Sequence, residues 1–251
     1  MLVDERRHRI AQLVMARKVA TVAELSGEFG VSPVTVRSDL EALEHQGLLK
    51  RNHGGAVAPQ TLRFAPAFQE RTSVHLLEKQ AIAERTAELI EDGDHLIIDS
   101  GSTALLLARR LRDRRLTILV NSVYTLNELV GAPNIELITV GGSLYEPGMS
   151  FVGPLAEAVL AKTHVDKVFL GVNGVTSKGI SANNIQEASI KEKMIAAADE
   201  VIVMADASKI GVDTFAFIAP IDHLHALVTN SDVEPQVVEE LRESGMEVLL
   251  V

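Results

Sequence analysis

The stretch VSPVTVRSDLEALEHQGLLKRNHGGA, residues 31–56, decides how the first part of this chain folds. Ser32 is a favoured N-cap, and Pro33 falls at the first helical position, where its missing N–H costs nothing. Val36, Leu40 and Leu43 then recur at three- and four-residue spacing. They face inward and turn Thr35, Arg37, Ser38 and Asp39 to solvent. Gly47 reads as a left-handed helix cap and Leu48 and Leu49 as a pairing strand, with Lys50, Arg51, Asn52 and His53 leading into Gly54-Gly55. A short polar helix face beside a basic hairpin suits a phosphate backbone. Taken alone, an apolar stripe with a Gly stop is equally a packed helix. The preceding segment decides between the two. Thr21-Val22-Ala23-Glu24 is a capping box that opens a helix over 23–29, which ends at Gly30. Two helices then meet across a tight Gly-containing turn, as a helix-turn-helix requires. A third helix is predicted over 4–16, with Ile10, Leu13 and Val14 buried. Residues 1–57 thus read as a winged helix-turn-helix domain that binds double-stranded DNA. Its candidate contacts are Ser32, Pro33, Thr35, Arg37, Ser38, Lys50, Arg51 and His53.

The chain has 251 residues, enough for this domain and one larger core. With 47% hydrophobic but only 4% aromatic residues and no Trp, that core should be aliphatic layers of helix on sheet. The absence of Cys excludes disulfides, thiolate metal sites and Cys nucleophiles, and a cytoplasmic location follows most simply. The N-terminus is charged and no apolar run approaches the roughly 20 residues that span a bilayer, so neither secretion nor a membrane partner is expected. A net charge of −10 first argues against nucleic acid, but its distribution resolves the conflict. Residues 1–58 hold eight Lys/Arg against seven Asp/Glu, leaving 16 of the 24 basic and 27 of the 34 acidic residues to the remainder. DNA binding must therefore rest on a local basic face acting within about one Debye length, ~8 Å in physiological salt. Coupling two such faces in a homodimer or homotetramer would strengthen it.

Residues 58–75 contain two prolines and no sustained period, and read as a linker in which Leu62, Phe64 and Phe68 are docking candidates. From 76 onward the pattern is α/β. A helix over 76–90 carries Leu77, Ala81, Ile82, Leu89 and Ile90 at helical period. Strands are predicted at 95–99, 116–120, 135–140, 166–171, 200–205, 224–229 and 246–250, with helices at 102–112, 122–131, 153–162, 186–198 and 234–244 between many of them. Continuous apolar strands separated by helices imply a mainly parallel, doubly wound sheet over 76–251, buried on both faces. Such sheets bind ligands at the carboxyl ends of their strands. Asp99, Ser100, Gly101, Ser102 and Thr103 follow the first strand and form a candidate phosphate cradle, with a helix N-terminus behind them. Ser102 as a plain N-cap explains the same residues structurally. Asn121-Ser122, Gly141-Gly142 and Asn173 lie at later strand ends, Lys209 offers a charge to a phosphate, and Glu187 an acceptor for a sugar hydroxyl or amine. Glu187 as a helix-dipole acid and Lys209 as a surface charge are the alternatives. His223 and His225 have no further ligand at metal-site spacing and read as surface residues, so neither a metal nor a cofactor is expected.

Val31-Ser32, Thr35-Val36-Arg37, Asp39-Leu40, Leu43-Glu44, Gly47-Leu48 and His53-Gly54-Gly55-Ala56 resemble the N-terminal signature of DeoR-type bacterial transcriptional regulators. The pattern departs at Ser38, where many members carry a second Arg. The resemblance continues through 99–103, 121–122, 141–142, 150–154, Asp166, 169–171, 179–180, Glu187, Lys191 and 206–209. It implies a sensing domain similar in fold to ribose-5-phosphate isomerases and CoA transferases. It further implies a repressor of a sugar or amino-sugar catabolic operon that binds operator DNA and responds to a phosphorylated sugar. The rival class is an isomerase-like enzyme fused to a DNA-binding domain, with Asp99, Glu187, Lys191 and Asp206 near one pocket. No pair of these carboxylates has a spacing that singles out a general base, and no catalytic residue is assigned.

Overall fold

The computed structural model describes residues 3–17, 19–45, 49–52, 54–57, 68 and 71–251. Its contacts divide the chain into Met1–Ala65 and Pro66–Val251.

In the first unit, α1 (Val3–Arg17) leads into a short strand β1 (Val19–Thr21), α2 (Val22–Phe29) and α3 (Pro33–His45). The wing is formed by β2 (Lys50–Asn52) and β3 (Gly55–Val57). The capping box forms as the sequence dictates: Thr21 Oγ1 accepts from the Glu24 N–H (3.2 Å), and Glu24 Oε2 accepts from the Thr21 N–H (2.7 Å). Gly30 closes α2 in the left-handed region at φ 64°. Ser32 Oγ accepts from the Thr35 N–H (3.2 Å), which starts α3 at Pro33. Ile10, Val14, Leu25, Val36, Leu40, Leu43, Leu49 and Ala56 pack into one core, with Leu13 partly buried beside it.

Two expectations change here. Leu49 is buried just ahead of the strand, which pairs through Lys50–Asn52 instead, and Gly47 and Leu48 lie outside the described residues. The sheet also has a third strand, in the order β1-β3-β2, that the sequence reading lacked. Gly55 makes this possible, because a Cβ there would lie 2.1 Å from the Ala20 carbonyl oxygen and 2.7 Å from Thr21 Cα. No side chain fits at position 55, where β3 meets the end of β1.

The second unit is built on seven strands: β4 (His95–Ile98), β5 (Leu116–Val120), β6 (Ile135–Thr139), β9 (Val165–Gly171), β12 (Ala198–Met204), β14 (Ala226–Thr229) and β15 (Glu247–Leu250). All neighbours pair in parallel, in the order β6-β5-β4-β9-β12-β14-β15. The seven predicted strands are all present. Alternate residues feed opposite layers: Ile97, Val168, Leu170, Val201 and Val203 join one core, and Leu96, Ile98, Phe169, Ile202 and Met204 the other. Helices α4 (Leu76–Ala87), α5 (Ser102–Leu111) and α6 (Val123–Leu129) contribute to the second of these. Helices α7 (Pro154–Leu160), α8 (Ile185–Ala196) and α9 (Pro235–Glu243) contribute to the first.

A hairpin of β7 (Ser143–Tyr145) with β8 (Ser150–Val152) is added at the side, as is a small antiparallel sheet of β10 (Gly174–Thr176), β11 (Gly179–Ala182) and β13 (Ala216–Pro220). At three to five residues these strands are too short to show a period. The buried face of α4 is Lys79, Ile82, Ala83 and Thr86, so the predicted stripe is rotated and Leu77 is 78% exposed.

The chain winds outward from β4 to β6 and then, in the other direction, from β9 to β15. The reversal falls between β4 and β9, so the loops after these two strands diverge and leave a crevice at their carboxyl ends.

Candidate functional site

On the first unit the exposed side of α3 carries Ser32, Pro33, Arg37 and Ser38, with Thr35 half-buried and its hydroxyl 2.9 Å from Ser32 Oγ. Val34, which the sequence reading passed over, is 73% exposed and lies at i, i+3, i+4 with Arg37 and Ser38. Asp39 does not face solvent as expected. It is buried, and its carboxylate accepts from Arg6 Nε (2.7 Å) and Arg7 Nε (2.9 Å), which joins α3 to α1. Arg51 belongs to β2 but is tied to α3: its N–H donates to Glu44 Oε1 (2.8 Å), and its guanidinium sits 3.2 Å from Glu44 and 3.9 Å from Glu41. The Lys50 side chain and His53 lie outside the described residues.

On the second unit the crevice at the β4/β9 reversal is a pocket lined by Arg71, Lys79, Ser100–Ala104, Gly148, Gly171–Asn173, Glu187, Lys191, Met204–Asp206 and Lys209. Of the sequence candidates, Ser100, Gly101, Ser102, Thr103, Asn173, Glu187 and Lys209 line it. Gly101, not Ser102, is the N-cap of α5. Its φ of 132° belongs to glycine, and no side chain caps the helix. The first amides of a ten-residue helix therefore open toward the pocket.

Asp99 is fully buried beneath this turn. Oδ1 accepts from Ser100 Oγ (3.4 Å) and Asn121 Nδ2 (3.3 Å), and Oδ2 from the Gly171 N–H (3.1 Å) and from Lys191 Nζ, which also donates to the Gly171 carbonyl (2.9 Å). Glu187 sits in the first turn of α8, where Asn184 caps its N–H (2.9 Å) and donates to Oε2 (2.7 Å). A Cβ at Gly148 would lie 2.9 Å from Glu187 Oε1, so the bare glycine leaves that oxygen room. Burial first, then the charge of Glu187, pushes the Tyr145 hydroxyl above its usual pKa. Asp206 accepts from the Ser208 N–H (3.1 Å) and hydroxyl. Lys209 makes no ion pair among the described residues.

Four candidates do other work. Asn121 is buried and holds Asp99; Ser122 caps α6 through the Thr125 N–H (3.2 Å). Gly141 and Gly142 form the positive-φ turn between β6 and β7, where a Cβ on Gly142 would meet the Val152 carbonyl at 2.7 Å. Arg71 and Lys79 are pocket residues that the sequence reading did not single out. Lys79 carried a signal, since it shares the spacing of Ile82, Ala83 and Thr86 on α4. His225 accepts the Val201 N–H (3.0 Å) at the far end of the strands, and among the described residues no His/Asp/Glu group suits a metal. No helix among the described residues is long and apolar enough to cross a membrane.

Residues 6–61 match the DeoR-like helix-turn-helix domain and residues 74–231 the DeoR C terminal sensor domain. The chain belongs to the DeoR family. Within it, the HTH-type transcriptional regulator YulB of Bacillus subtilis is 40% identical, across 100% of this chain and 98% of that protein. The putative aga operon transcriptional repressor of Escherichia coli O157:H7 is 33% identical, over 99% and 94% of the two chains. The lactose phosphotransferase system repressor of Streptococcus mutans is 31% identical, over 90% and 92%. Among solved structures, ribose 5-phosphate isomerase A from Methanocaldococcus jannaschii aligns with a TM-score of 0.40 at 20% identity over 53% of each chain. This DeoR-family regulator thus pairs a winged helix with a sensor whose pocket lies at the sheet reversal.

Proposed function

We propose that the chain is a transcriptional repressor of a sugar or amino-sugar catabolic operon whose DNA binding is modulated by a phosphorylated sugar in the β4/β9 pocket. One observation carries the reading: the uncapped N-terminus of α5 opens into a pocket that also holds Lys79 and Lys209, neither in an ion pair among the described residues. Free amides, a positive helix end and two ammonium groups match a phosphate monoester. Glu187, an acceptor only, suits the hydroxyls or amine of the sugar. Asp99 does not serve as a base there, because it receives four donors on its two oxygens and has no lone pair left for a substrate proton. On the DNA side, Arg37 reads a base edge and Val34 contacts a thymine methyl, in a homodimer or homotetramer that joins two such faces.

By linkage, operator DNA changes the sugar phosphate's affinity by the same factor that the sugar changes DNA affinity, typically about 5–150-fold. Calorimetry with a panel of sugar phosphates, with and without operator DNA, measures it. Lys209→Ala and Thr103→Ala should keep operator binding without sugar and lose the response at sugar-phosphate concentrations that saturate the wild type. Equal sugar affinity in both conditions would overturn the reading. Arg37→Ala should weaken specific binding by about 1–3 kcal/mol in a gel-shift titration with helicity unchanged.

A further inference from the structure

Lys79 is a buried ammonium without a counter-ion among the described residues. It is 7% exposed, and its Nζ donates to the carbonyl oxygens of Arg71 (2.6 Å) and Val74 (2.7 Å), both in the segment that leads into α4. Burial pulls its pKa below the usual lysine value; Asp206 opposes that and Lys209 and Arg71 add to it. An ammonium has three N–H donors, and two are already engaged, while the group lines the pocket with the start of α5 and Lys209.

The segment that Lys79 holds is clasped at other points too. The ring of Phe68 stacks on Tyr124 with centroids 4.0 Å apart. Arg71 lies over that ring at 5.7 Å and donates to the Pro147 carbonyl (2.8 Å), next to Gly148 on another part of the pocket wall. His75 sits at φ 54°, in the left-handed region, where it starts α4 without a side-chain cap. A non-glycine residue held there is strained and needs its neighbours to keep it in place. This stretch follows the winged-helix unit in the chain.

We infer that Lys79 couples anion occupancy of the pocket to the order of residues 71–75. A bound phosphate takes the third N–H of Lys79 and supplies the missing counter-charge. The ammonium then holds the Arg71 and Val74 carbonyls more firmly, and the segment tightens. With the pocket empty, the same contacts open more often. The inference rests on the phosphate reading of the pocket and adds to it the residue that reports occupancy.

Hydrogen exchange on the full chain tests it, with inorganic phosphate as probe, chloride at equal ionic strength as control, and calorimetry to establish saturation. In the wild type, amides of peptides covering 71–80 should exchange roughly tenfold more slowly at saturating phosphate, as expected of a local opening made rarer. Lys209→Ala should need more phosphate but show the same slowing once saturated. Lys79→Met should exchange fast with or without phosphate. Trypsin cleavage after Arg71 gives a second readout that does not need the variant: phosphate should protect the wild-type chain. Phosphate that binds yet neither slows exchange nor protects Arg71 overturns the inference and leaves the pocket reading standing. Absence of any binding heat from phosphate and from sugar phosphates overturns both.

Discussion

Asp39 and Asp99 are both buried carboxylates answered by cations from distant parts of the chain, and they do opposite things. Asp39 takes the Nε donors of Arg6 and Arg7, both on α1. It is a bolt between two helices of the winged helix. Asp99 stands at the end of β4, where four donors from separate elements converge, and Ser100, Gly171 and Lys191 among them also line the pocket. It lies buried beneath the pocket and holds part of its wall. A buried ion pair therefore says little about function by itself; its place relative to a topological reversal says much more.

The degree of drying also separates the two. Lys191 and Asp99 have side chains 4% and 0% exposed, whereas Arg6 and Arg7 are 11% and 28% exposed. Lys191→Met should thus give the largest loss, about 3–5 kcal/mol in urea unfolding of the second unit, because it strands a buried charge. Asp99→Leu combined with Lys191→Met should recover much of that loss. A single variant as stable as wild type would show that the pair is wet and erase the contrast. Asp39→Asn should cost less, since solvent already screens its partners. It should lower the melting of the winged-helix unit and the DNA affinity together; DNA affinity falling with melting unchanged would make Asp39 part of the contact face instead.

Glu24 supplies an exposed carboxylate for scale. The N–H of Thr21, then its hydroxyl, hold Glu24 below the usual carboxylate value of 4.5. A depressed acid contributes its full stabilisation above its unfolded pKa and loses it as pH falls through the lower, folded one. An acid titration of α2 helicity should therefore show a small loss below about pH 4 that Glu24→Gln removes. A loss of the same size in Glu24→Gln would assign it to another group.

The parts of this molecule that were legible in the sequence are those governed by local rules. The capping box at Thr21, the Ser32-Pro33 start and the seven apolar strands depend on neighbours within a few residues, and all of them form. Asp39 was misread because its partners lie 32 and 33 residues away on another helix, and a mid-helix carboxylate carries no mark of them. Strand β1 went unnoticed because three residues hold no period; only the steric demand at Gly55 betrays it. In the pocket, Ser100–Thr103 and Lys209 were found from strand-end logic. Lys79 was missed because a lysine on an apolar stripe reads as surface. Its burial was written in the spacing of Ile82, Ala83 and Thr86.

The reversal between β4 and β9 also bears on how such a sensor changes its guest over evolutionary time. Its pocket is made of residues after β4, β9 and β12 and on the first faces of α4, α5 and α8, while both aliphatic cores draw on alternate residues within the strands. Asn173, Glu187 and Lys209 line the pocket, and altering them changes its wall without removing a methyl group from either core. Asp99 and Lys191 belong to the frame and cannot drift alone, because either one without the other is a stranded charge. The polar rim of the pocket can thus be rewritten apart from the cores, whereas Ala104, Met204 and Ala205, which serve both, tie its floor to the stability of the sheet.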